Sequence, residues 1–99
     1  MQKEHCYYVY ILTNKRNGTL YVGVTNSLFS RLFKHKLKEN QKSFTANYNV
    51  TKLVYYEIHQ CIYSAIRREK QLKKWKRKWK LDLIEKENPV WCDLLDDIK

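Results

Sequence analysis

Residues that let a backbone bend freely are scarce in this chain: among 99 residues there are two glycines and one proline. That scarcity excludes long flexible linkers and low-complexity tails. The three cysteines, Cys6, Cys61 and Cys92, are odd in number and far apart. They make neither a disulfide framework nor a CxxC metal cluster, so reduced thiols in the core are expected. No apolar run approaches the roughly 20 residues that cross a bilayer. The N-terminus also reaches the polar stretch Asn14-Lys15-Arg16-Asn17-Gly18 too soon for a secretory signal. The expectation is a soluble, cytoplasmic protein with no membrane partner. Acids are scarce as well, ten against twenty Lys and Arg, for a net charge of +10. So large an imbalance excludes a neutral scaffold and points to a polyanion, most simply nucleic acid: DNA, with RNA as a competing partner.

What is present is aromatic and apolar. Hydrophobic residues make up 43% of the chain, and eight of its residues are tyrosine. At this length the chain is expected to form one domain, residues 1–99, with a single dense core that removes about two-thirds of the unfolded surface from water. Tyr8-Val9-Tyr10-Ile11-Leu12 and Leu20-Tyr21-Val22-Gly23-Val24 read as strands, and Asn17-Gly18 between them is a strong hairpin signal. A two-residue turn would set Leu12 opposite Gly23 and Asn14 opposite Tyr21, with Tyr10, Leu12, Tyr21 and Gly23 on one face. A wider loop would change that pairing.

Thr25 or Asn26 can cap a helix running to about Lys38, with Leu28, Leu32 and His35 at helical spacing and Arg31 beside the same stripe. Glu39 to Thr51 is polar and irregular, with Phe44 and Tyr48 expected to pack down. Leu53 to Ile58 reads as a third strand. Ile62, Ala65, Ile66, Glu69 and Leu72 then lie on one side of a helix. A further helix spans about Arg77 to Glu87, after a break near Trp75, and Asn88-Pro89 ends it. The order is strand, strand, helix, strand, helix, helix. Charge is uneven along it. Residues 67–80 hold nine bases and one acid, Glu69, whereas residues 81–99 hold six acids and two bases. The basic segment, Lys73, Lys74 and Lys76 included, is the expected phosphate-tracking surface.

Cleaving a phosphodiester needs a positioned water, a proton acceptor, a cation for the charge growing on phosphorus and, in most enzymes, a metal at the leaving oxygen. Tyr21 or His35, Arg31 and Glu69 could supply these in turn. Each has a plainer alternative. Glu69, in the middle of an apolar stripe, could equally form an ion pair with Arg31 or Lys73. A solvated helix-surface position is the commoner fate of an arginine such as Arg31. Tyr10 and Tyr21, taken singly, are more often strand aromatics. Histidine, with an ordinary pKa of about 6.5 against about 10 for tyrosine, makes His35 the better intrinsic base. His5 and His59 lack such a context and are expected at the surface. A lone carboxylate suits Mg²⁺ or Mn²⁺, which keep several waters, and suits Zn²⁺ poorly. Trp75 and Trp79, four apart amid lysines, could stack on bases, but inward packing is favoured for so periodic a pair.

These residues, taken in order, resemble the GIY-YIG nuclease family. Tyr8-Val9-Tyr10 stands where that family has Gly-Ile-Tyr, and Tyr21-Val22-Gly23 where it has Tyr-Ile-Gly. Arg31 and His35 on the first helix, Glu69 within Arg68-Glu69-Lys70-Gln71-Leu72-Lys73, and Asn88-Pro89-Val90-Trp91 follow. The similarity runs from about Tyr7 to Leu94 and is closest to small stand-alone members. It implies an α+β fold, a three-stranded antiparallel sheet flanked by helices in the order β-β-α-β-α-α. It also implies roles. Tyr21 helps activate the water, Tyr10 orients it, Arg31 stabilises the transition state, and Glu69 holds one divalent metal, Mg²⁺ or Mn²⁺. Gly23 lets the backbone come close, His35 stands where relatives carry His or Tyr, and Asn88 is grouped with the substrate-binding residues. Tyr8 replaces the family's first glycine. Val24 follows Gly23 where several relatives carry a polar residue, which favours His35 as a helper or alternative base. The implied activity is metal-dependent, one-metal hydrolysis of DNA, structure-directed or weakly specific, on structured or damaged duplexes as in DNA repair. Two rivals remain: a non-catalytic nucleic-acid-binding module, and a subunit that needs a protein partner for targeting or activation.

Overall fold

Aromatic and β-branched residues concentrate in three segments, and these form the strands. They are β1 (Tyr7–Thr13), β2 (Leu20–Thr25) and β3 (Lys52–His59) in the computed structural model, which describes residues 6–37 and 50–95, the side chains of residues 33–37 excepted. Three helices join them: α1 (Leu28–Leu37), α2 (Ile62–Lys74) and α3 (Arg77–Glu87). The order is the expected β-β-α-β-α-α. Phe44 and Tyr48 lie outside the described residues, as do His5 and the side chain of His35. No described helix is long and apolar enough to cross a membrane.

The sheet is antiparallel throughout, in the order β2-β1-β3. Its central strand is covered on both sides, and Val9, Tyr10, Ile11, Leu12 and Thr13 are all fully buried. Val9 and Ile11 pack with Val22, Ala65, Leu72, Ile84 and Trp91 on the face carried by α2 and α3. Tyr10 and Leu12 pack with Leu28, Leu32, Val50, Leu53 and Leu95 on the face carried by α1. Each fully buried Val, Leu or Ile contributes about 1.5–3 kcal/mol of transfer free energy, so β1 is the spine of both layers.

The hairpin register differs from the two-residue-turn expectation. Leu12 faces Tyr21 and Tyr10 faces Gly23, a slip of two residues that keeps every side chain on its expected face because the strand period is two. The wider loop, residues 14–19, is closed by side chains. Asn14 Oδ1 accepts from the Thr19 amide at 3.1 Å, and the Thr13 hydroxyl donates to the Lys15 carbonyl at 2.7 Å. Asn17 takes the left-handed conformation, φ 59°, which Asn tolerates better than most residues. Gly18 is needed for space, since a Cβ there would strike the Asn14 side chain and stand 2.9 Å from the Lys15 carbonyl.

α2 and α3 are separated by two extended residues, Trp75 (ψ 148°) and Lys76 (ψ 149°). α3 ends at Asn88, whose buried side chain donates to the carbonyls of Val54 and Cys92 and accepts from the Cys92 amide. The cysteines are free as expected, but Cys61 and Cys92 are exposed rather than in the core. Both lie in connections outside the apolar stripes.

Candidate active site

Because Tyr10 sits opposite Gly23 across the β1–β2 ladder, its ring can lie over a position with no side chain. A Cβ on Gly23 would stand 2.5 Å from Tyr10 Oη and 3.0 Å from Tyr21 Cε2. The glycine therefore makes room for two phenols, whose ring centroids are 6.3 Å apart. Tyr10 is fully buried, yet its hydroxyl has no hydrogen-bond partner, and it is the one such buried side-chain atom among the described residues. A buried, unmatched hydroxyl costs about 1–3 kcal/mol, so a group aimed at a partner from outside the chain is the economical explanation.

The surroundings of that hydroxyl are the residues singled out from the sequence. Burial raises the Tyr10 pKa strongly, Tyr21 raises it further, Arg31 lowers it and Glu69 raises it. One phenol thus lies in the fields of Tyr21, Arg31 and Glu69 together, supplied by β2, α1 and α2. Tyr10 stays protonated at neutral pH and is a donor, not a base. Tyr21 is partly exposed and Arg31 exposed at the mouth of this region. Glu69 is mostly buried, its side chain 13% exposed, with Oε2 2.6 Å from Lys73 Nζ. Of the two ion pairs open from the sequence, the Lys73 pair is the one formed.

No three His, Cys, Asp or Glu side chains gather into a metal cage among the described residues. A single carboxylate fits Mg²⁺ or Mn²⁺, which bring most of their own water. It does not fit Zn²⁺, which takes three or four protein ligands. At Glu69 such a cation would compete with the Lys73 ammonium.

Other expected site residues are placed elsewhere or otherwise engaged. Asn88, grouped with the substrate-binding residues, is 4% exposed and hydrogen-bonded to backbone groups, so it braces the turn after α3. The basic segment is only partly a free cationic face. Arg68 is paired inward with Glu57, Lys73 with Glu69, and Arg77 donates to the carbonyls of Asn17 and Gly18 at 2.7 and 2.6 Å. Lys74 and Lys76 are exposed. Trp79 does not pack inward as expected: it is 50% exposed and meets the partly buried Trp75 edge-on, centroids 5.9 Å apart. Trp91 is fully buried, its indole donating to Glu85 Oε2 at 2.9 Å.

Sequence reasoning missed a second polar cluster on the opposite sheet face. Glu57 accepts from Arg68 Nε at 3.1 and 2.9 Å, from the Tyr55 hydroxyl at 2.5 Å, and lies 3.0 Å from His59 Nε2. His59 Nδ1 meets the Ser64 hydroxyl at 2.6 Å. Arg68 also donates to Gln71 and lies 5.1 Å from the Trp75 ring centroid. His59 is therefore no surface residue but a tie between the end of β3 and the start of α2. Burial alone would raise the Glu57 pKa, but hydrogen bonds from Arg68, Tyr55 and His59 outweigh it and hold the carboxyl below its ordinary value. The signal available in the sequence was the alternation Tyr55, Glu57, His59, which places three hydrogen-bonding side chains on one face.

Comparison with known proteins gives a consistent result. A family model described as the GIY-YIG catalytic domain matches residues 6–82. A UPF0213 protein from Syntrophus aciditrophicus is 38% identical over 83% of this chain and 92% of its own length. One from Staphylococcus haemolyticus is 35% identical over 80% and 94%. The solution NMR structure of a UPF0213 protein from Bacillus halodurans matches with a TM-score of 0.55 and 26% identity, covering 87% of this chain and 89% of the other.

Proposed function

Since this chain belongs to the GIY-YIG catalytic-domain family, we propose that it is a metal-dependent endonuclease that hydrolyses DNA phosphodiester bonds, structure-directed or weakly specific. The observation that carries the reading is the partnerless Tyr10 hydroxyl, buried over Gly23 within the fields of Tyr21, Arg31 and Glu69.

In this reading Tyr10 donates its proton's hydrogen bond to the attacking water or a phosphate oxygen, which satisfies the hydroxyl and fixes the line of attack. Tyr21, the more exposed phenol, takes the water's proton as it passes its own hydroxyl proton on, with His35 on α1 as the base that receives it. Arg31, exposed and permanently charged, stabilises the charge growing on the phosphoryl oxygens. Glu69 would hold one Mg²⁺ or Mn²⁺, which when bound polarises the phosphate and eases departure of the leaving oxygen. Lys74 and Lys76 extend the cationic surface along the backbone of the nucleic acid.

Incubation of the pure protein with supercoiled plasmid, with Mg²⁺ or Mn²⁺ and with EDTA, tests this. Metal-dependent nicking that disappears in Glu69→Ala and Arg31→Ala, with unchanged circular dichroism, is expected. DNA binding without cleavage across both metals and branched or gapped substrates would replace the nuclease reading with that of a binding module.

A further inference from the structure

A second concavity opens on the α1 side of the sheet, beside the site already described. It is a cleft of about 390 Å³ walled by Tyr8, Tyr56, Phe29 and Ile58, with Asn26 and Ser27 at its rim. The Tyr8 and Tyr56 rings meet edge-on, centroids 6.4 Å apart. Phe29 is 45% and Ile58 59% exposed, so apolar surface here stays open to water.

The cleft lies on the same sheet face as Tyr10. Tyr8 and Tyr10 are two residues apart on one face of β1, about 6.8 Å at roughly 3.4 Å per residue. Leu28 and Phe29 begin the helix that carries Arg31 within its first turn. A phosphate held at Arg31 and Tyr10 therefore has an aromatic-walled cleft about one nucleotide step away. A chain of net charge +10 supplies the complementary field.

We propose that this cleft is a subsite for an unpaired nucleobase of the substrate strand, seated in the corner the two rings make, stacked on one of Tyr8 and Tyr56 and edge-on to the other, with its polar edge toward Asn26 and Ser27. The proposal rests on the nucleolytic reading above and names its substrate class: a strand with a base free to leave the stack, as at a gap, flap or mismatch. A paired base cannot enter without the cost of unstacking. An aromatic platform accepts any base, so the subsite selects structure and not sequence.

The test uses the full chain in EDTA, which separates binding from cutting, and a duplex carrying one unpaired 2-aminopurine. Stacking on tyrosine should quench its fluorescence on binding. Tyr8→Leu and Tyr56→Leu keep apolar volume but remove the ring. Each should weaken affinity for this substrate by about 5- to 150-fold and restore the fluorescence, while fully paired duplex binds as before. An abasic site in place of the unpaired base should cost the wild-type protein a similar factor, a readout independent of whether the variants fold. Binding and nicking that persist with no quench, or with no penalty for the abasic site, would overturn the subsite and leave the nuclease reading standing. Failure to bind any oligonucleotide would overturn both.

Discussion

Two clusters in this molecule are built from the same three side-chain types, a tyrosine, an arginine and a glutamate, and they differ in what they leave over. On the α2 face Tyr55, Arg68 and Glu57 satisfy one another, with His59 and Ser64 closing the set. Around Tyr10, Arg31 and Glu69 the phenol has no partner, the guanidinium is exposed, and the carboxylate's ion pair among the described residues is with a lysine from its own helix. Such a closed polar network rigidifies a fold. The open one costs stability that only an external ligand can return, which is the usual mark of a working site. In the function proposed above the first cluster serves structure and the second chemistry, and swapping those roles is what experiment should attempt.

The largest effect is expected from Arg31→Ala, which should lower the nicking rate by about 10²–10³-fold with little change in melting temperature. Arg68→Ala should do the opposite. Plasmid nicking beside thermal melting for the two variants breaks the comparison if both behave alike. Glu57→Ala removes the acceptor of four hydrogen bonds and one further ion-pair contact in a mostly buried setting. A loss of about 2–3 kcal/mol is expected, read as a fall in Tm of roughly 10–20 °C for a chain of this size.

The same carboxyl sets an acid limit. Its folded-state pKa is depressed below the ordinary 4.5, so its contribution is present above that value and is lost as pH falls through the folded value. Urea melts of wild type should weaken below about pH 4.5, and those of Glu57→Gln should weaken less. A parallel pH profile in the variant would remove Glu57 from the stability account. The smallest effect sharpens the open cluster. Lys73→Met removes the cation that competes for Glu69, and Mn²⁺ affinity should rise by about fivefold or less, the scale of a partly exposed ion pair. Calorimetric titration showing weaker binding would mean that Lys73 helps to assemble the site.

The fold was legible where periodicity and punctuation agree. The alternation around Tyr8–Leu12 and Leu20–Val24, the helical stripe from Ile62 to Leu72 and the stop at Asn88-Pro89 give the element order without further information. Register was not legible, because the loop is closed by Asn14 and Thr13 side chains that no strand pattern encodes, and a two-residue slip leaves each face unchanged. The open cluster could be read from motif order, since Tyr10, Gly23, Arg31 and Glu69 keep the family's sequence of types. Its competitor Lys73 could not be chosen over Arg31, because both lie within reach of a glutamate on a helix. The closed cluster joins Glu57 to Arg68 across two elements, a pairing fixed only once β3 and α2 pack. Trp79 misled for a related reason: its inward or outward orientation depends on the two extended residues before α3.

The most direct test of the division between the clusters is the metal-dependent nicking rate of Glu69→Gln set against that of Glu57→Gln, each measured well below its own melting temperature. The account predicts that the first loses cleavage and the second retains it. Cleavage retained in Glu69→Gln, or lost only in Glu57→Gln, would contradict it.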